Sequence, residues 1–170
     1  MIYAHSFRSV LALALAGVSL AGGNVAYAGH VGHVGNAANG GAAAVGARGV
    51  AGNAHTTTQN ADGSTTVNST GGYSGVNGLK GTHQTTTTVG ADGSVSRSGS
   101  ASGTGANGSV QTSGGFSRSG TGTWSGSRST TATSAKTGNS YSGSTTIDPT
   151  TGKPVHTGTC TNSAGATIAC

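Results

Sequence analysis

From Ser94 onward, hydroxyl residues alternate with other residues. Ser94, Ser96, Ser98, Ser100, Ser102 and Thr104 occupy every second position, and Ser117 to Thr133 extends the pattern through nine Ser or Thr residues. Ser140, Ser142, Ser144 and Thr146 repeat it. A period of two puts one set of side chains on one face of an extended strand. The opposite positions of 116–128 read Phe116, Arg118, Gly120, Gly122, Trp124, Gly126 and Arg128. No apolar stripe follows the helical period, and Gly and Ser are poor helix formers. The pattern predicts strands with one hydroxyl face and one mixed face.

Turn signals punctuate these strands at a fixed interval. Asp62-Gly63, Asn77-Gly78, Asp92-Gly93 and Asn107-Gly108 lie 15 residues apart, and Gly122, Gly138 and Gly152 fall on or beside the next positions in the series. Asp-Gly and Asn-Gly favour tight hairpins, because such turns need positive φ, which Gly adopts freely and Asn or Asp tolerates. Asp148, in the run DPTTGKP, also reads as a turn residue. All three acidic residues of the chain thereby have a structural role. Each unit is a strand of about ten residues plus a turn. The expected fold is all-β: an antiparallel up-and-down meander of about seven strands with little hydrophobic core. A β-solenoid is the competing layout, but one turn per unit and no inward apolar ladder favour the meander. A largely disordered chain is the third possibility.

Pairing follows from the turn positions. A hairpin reversing at Gly122 sets Phe116 opposite Arg128 and Trp124 opposite Gly120. The first pair suits a cation–π contact, and the second suits a ring covering a strand glycine. Tyr73 and Tyr141 are placed for the same covering role.

The ends differ from the repeat. Residues 1–28 combine a short polar start, the apolar run VLALALAGVSL and the small-residue pattern Ala26-Tyr27-Ala28. This is the pattern of an export signal, too short and too Gly-interrupted for a membrane span. No later segment is apolar enough to cross a bilayer as a helix. Residues 29–54 show neither strand nor helix period and read as a Gly/Ala linker. The repeat region is expected over 55–157 and a C-terminal hairpin over 158–170. Cys160 and Cys170 are the only cysteines, and in an exported protein such a pair reads as a disulfide. A turn at Ala164-Gly165 sets them directly opposite each other.

Composition limits what this region can do. From Gly29 onward, Leu, Ile, Val and Phe number 14 against 47 Ser plus Thr and 30 Gly. That is about half the apolar share with which chains usually build a core. Charge is scarce as well, with net +5 for the whole chain, so the chain lacks the high charge that accompanies most disorder.

Catalytic motifs are missing from this pattern. Gly103 to Gly108 matches G-x-G-x-x-G but is followed by SVQTSGG, not a helix, so no dinucleotide site is expected. Lys136-Thr137-Gly138 lacks the S-x-x-K partner that would give it meaning. Ser and Thr are not nucleophiles without a positioned base, and no carboxylate pair is free for acid–base work. The chain is not expected to be an enzyme or to hold a cofactor. His30 and His33, in HVGHVG, are the one pair spaced to chelate Cu(II), Ni(II) or Zn(II). Phe116, Arg118, Trp124 and Arg128 make a basic, aromatic-dotted stretch suited to polyanions.

The turns ADGS and NG, the stretch SRSGSASGTGANG at 96–108 and the ending CTNSAGATIAC resemble small exported Ser/Thr/Gly-rich repeat proteins of Gram-negative bacteria. The resemblance implies an envelope or extracellular location and no particular activity. Curli-type amyloid subunits share strand–turn repeats but carry regular Gln and Asn within the strands, where this chain has only Gln59, Gln84 and Gln111. The expected function is a non-enzymatic structural, adhesive or self-associating surface protein, whose partners are further copies or cell-surface polymers rather than specific nucleic acid. The alternative is a periplasmic or extracellular binding module for metal ions or polyanions such as lipopolysaccharide and extracellular DNA.

Overall fold

A computed structural model describes residues 31–35 and 38–170. The expected export signal and His30 lie outside the described residues. The chain forms one antiparallel sheet of eleven strands in sequential order. They are β1 (Val31–Gly35), β2 (Asn39–Gly46), β3 (Gly49–Gln59), β4 (Thr65–Gly75), β5 (Lys80–Val89), β6 (Val95–Gly105), β7 (Gly108–Arg118), β8 (Trp124–Ser134), β9 (Ser140–Ile147), β10 (Pro154–Thr161) and β11 (Thr167–Ile168). This is the expected meander, an open sheet with every neighbour adjacent in sequence.

The linker expectation fails. Residues 31–35 and 39–54 carry β1, β2 and the first half of β3, paired in the same sheet. Their Ala and Gly residues lack the alternating contrast that marks a half-exposed strand, yet their main-chain groups still complete a ladder against β3 and β4. These additional strands and β11 raise the count from about seven to eleven.

No apolar side chain among the described residues is buried, and the only buried polar one is Ser64, at 6% exposure. Main-chain ladders therefore hold the sheet together, each bond contributing about 0.5–1.5 kcal/mol net. Cross-strand hydroxyl pairs add to them, such as Ser117 with Ser125 at 2.8 Å, Thr82 with Ser102 at 3.0 Å and Ser140 with Thr161 at 2.6 Å. Aromatic rings supply the remaining packing. Tyr73 lies opposite Gly81, and its ring occupies the space a side chain there would need. Tyr141 covers Gly143 and Gly158 in the same way, and Phe116 covers Gly126.

Four turns share one design, a three-residue loop whose last residue is Gly at positive φ. They are 61–63, 91–93, 120–122 and 163–165. In the first, Asn60 N donates to Ser64 O and Gly63 N donates to Asn60 O, with Gly63 at φ 79°. This is the type I turn closed by a left-handed glycine. Asp62 is not at positive φ, contrary to the sequence reading. It serves as an acceptor, its Oδ1 taking Ser64 N at 2.9 Å and Ser64 Oγ at 2.7 Å. Asp92 Oδ1 takes Ser94 N in the same way, and Asn162 Oδ1 takes the N–H groups of Ala164 and Ala166. Asn77 does adopt positive φ, at 59°, beside Gly78. Asn107 ends a two-residue loop, and Gly108 opens β7.

That design shifts two pairings. Because Gly closes the loop, the centre of reversal is the residue before it. Phe116 therefore faces Gly126, and Trp124 faces Arg118, while Arg128 faces Gly114. The expected Phe116–Arg128 and Trp124–Gly120 pairs do not form. At the C-terminus Cys160 faces Ile168 rather than Cys170. The Cys160–Cys170 disulfide nevertheless closes, with Cys170 two residues beyond Ile168, across a Cα separation of 5.3 Å. Replacing both cysteines by serine is expected to release β11, removing about 3 kcal/mol of ring constraint. Limited proteolysis should then cut only after Thr161.

All three carboxyls sit below their ordinary value of 3.8: Asp62 and Asp92 chiefly through the hydroxyls of Ser64 and Ser94, Asp148 through the N–H of Thr150. A depressed folded pKa stabilises the turn fully above the ordinary value, and the effect is lost as pH falls through the lowered one. NMR of Ser64 and Ser94 amides is expected to show those hydrogen bonds intact at pH 5 and lost only below pH 3.8.

Candidate interaction surfaces

Residues directly opposite each other in an antiparallel pair share a face. The register therefore sorts every strand residue onto one of two surfaces. One surface carries hydroxyls at every strand position of β6 (Ser96 to Thr104), β8 (Ser125 to Thr133) and β9 (Ser140 to Thr146). Its rows run straight across the sheet: Ser100, Ser113, Ser129, Ser144 and Thr157 are successive partners from β6 to β10. No aromatic residue lies on it.

The second surface gathers Tyr73, Phe116, Trp124, Tyr141, His55, His83 and His156 with Arg97, Arg118 and Arg128. The four residues singled out as a contact stretch therefore lie on one face. Arg97 joins them directly opposite Phe116, and Trp124 is 49% exposed. Arg128 Nε donates to Thr112 Oγ1 at 2.8 Å, which fixes its stem across Gly114. His156 is held at both ring nitrogens, by Tyr141 Oη at 2.8 Å and Thr145 Oγ1 at 3.0 Å. A shallow hollow among the described residues is lined mainly from the hydroxyl-bearing surface, by Thr70, Gly72, Thr82, Gln84 and Ser100, with Gly71 and His83 beside them.

A third feature was not read from the sequence. On the second surface one row crosses all eleven strands on Gly, Ala, Val, Ile, Tyr and half-cystine residues alone: Val31, Ala44, Ala51, Tyr73, Gly81, Gly103, Val110, Ala132, Tyr141, Cys160 and Ile168. Its members flank every second turn at matched distances. A window of 11–18 residues spans too little chain to reveal that recurrence.

His33 lies in β1. Among the described residues no group of three or more His, Cys, Asp or Glu is arranged to hold a metal ion. No helix among them is long and apolar enough to cross a membrane. Comparison with protein-family models, with curated proteins and with solved structures finds no match.

Proposed function

We propose that this chain is an exported, non-enzymatic structural protein that associates with further copies of itself through its sheet. The observation that carries this reading is an eleven-stranded layer in which no apolar side chain of residues 38–170 is buried and whose two edges are open among the described residues. Such a layer gains little from a core, and unpaired edge groups are a template for further strands. The disulfide at its C-terminus fits an oxidising compartment. The mature chain, beginning at Gly29, is expected to give β-type circular dichroism and to sediment faster as its concentration rises. A chain that stays monomeric and unordered at every concentration would refute the proposal.

A second reading, adhesion to polyanionic cell-surface polymers, is favoured by Arg97, Arg118 and Arg128 sharing a face with Phe116 and Trp124. Removing all three arginines is then expected to abolish calorimetric binding to lipopolysaccharide at low salt. Unchanged binding, or none by the parent chain, would end it.

A further inference from the structure

The outer edge of β10 is open for most of its length. The two residues of β11 pair only with Cys160 and Thr161. Those two are half-buried, whereas Pro154 to Thr159 are exposed. N–H and C=O groups of successive residues point to opposite edges of a strand. Asp148 N donates to Lys153 O at the start of β10, and Asn162 N donates to Ala166 O at its end. Counting in twos from either end gives one answer. Val155, Thr157 and Thr159 turn their main-chain groups to β9, and His156 and Gly158 turn theirs outward.

At the far edge β1 pairs, among the described residues, with β2 alone. Each strand reverses the one before, so β10, nine reversals from β1, runs antiparallel to it. β11 runs parallel to it.

We infer that β10 of one copy takes β1 of a second copy as its next strand. A copy whose sheet continues that of the first, turned only by the twist accumulated across the strands, brings β1 beside β10 in antiparallel sense. It also keeps both hydroxyl faces on the same side. The five residues of β1 fit the six open positions of β10, and the disulfide hairpin ends that window at Cys160. Pro154 has no N–H, so pairing falls on His156 and Gly158. The contact is head-to-tail, and each copy uses both its edges once, so growth continues beyond two copies. This geometry rests on the self-association proposed above and specifies its mode.

Amide exchange, read residue by residue on the mature chain, tests it. In the dilute monomer His156 and Gly158 should exchange fast, and in the assembly at least about tenfold slower, the protection a new ladder bond confers. Val155, Thr157 and Thr159 should be slow in both. His156→Pro removes the outward main-chain donor together with the exposed side-chain bonds to Tyr141 and Thr145, so a folded but less stable monomer with its disulfide intact is expected, with the assembly threshold raised about tenfold. Thr157→Pro removes a donor to β9 and should unfold the β9–β10 hairpin. An assembly in which His156 and Gly158 stay fast overturns the head-to-tail mode but leaves self-association standing, as does a dimer that stops at two copies. The absence of any assembly overturns both.

Discussion

Replacing Gly108 by valine is expected to separate β6, β7 and β8 and to destabilise the sheet by roughly 2–5 kcal/mol, combining backbone strain with overpacking. Gly108 opens β7 at φ 138°, a conformation that side chains rarely adopt. A Cβ there would collide with the main-chain carbonyl of Thr133 on β8. That carbonyl is part of the scaffold and cannot rotate away as a side chain would. Asn107 O also receives Ala135 N, so any shift of this loop disturbs the next hairpin as well. Gly93→Ala provides the contrast. Gly93 is at φ 79°, but nothing lies within 4 Å of the added carbon, so the loss should be limited to about 1 kcal/mol of backbone strain. Urea unfolding followed by circular dichroism separates the two outcomes.

The second large effect is expected at Tyr141. Its ring fills the space above Gly143 and Gly158, and its hydroxyl meets His156. Tyr141→Ala uncovers two glycines on neighbouring strands and frees one nitrogen of His156. A loss of about 1–3 kcal/mol is expected, below the figure for a fully buried aromatic because the site is only half-buried. Tyr141→Phe keeps the ring over both glycines and should lose no more than about 1 kcal/mol, the worth of one exposed hydrogen bond. Equal losses in the two variants would place the importance in the hydroxyl and not in the covering ring.

These expectations rest on features of unequal visibility in the sequence. The strands of the repeat region were legible because serine and threonine at β6, β8 and β9 alternate without interruption, and because Gly63, Gly78, Gly93 and Gly108 recur at fixed spacing. Gly122, Gly138, Gly152 and Gly165 all adopt positive φ, as Gly63 does. β1 and β2 were not legible. Their strand positions hold mainly Gly, Ala and Val, which look alike on either face, so no period appears. The centre of reversal was misplaced by one residue at Thr121 and again at Ala164, which moves each partner by two, because a left-handed glycine can close a three-residue loop as well as sit inside a two-residue one. The dipeptide alone does not distinguish those loops. The grouping of Arg118 and Arg128 on one face followed from alternation, and pairing across β6 and β7 adds Arg97 to it. The apolar row through Tyr73 and Tyr141 did not, since its members are brought together by pairing across alternate turns.

A single layer of main-chain ladders, with rings laid over glycines, organises the described residues without a buried core. Nuclear Overhauser contacts in the dilute mature chain test it most directly. The rings of Tyr73 and Tyr141 should contact the α-protons of Gly81 and of Gly143 and Gly158, with those glycine signals displaced by the ring currents. Glycine α-protons at unshifted positions, with no contact to either ring, would contradict it.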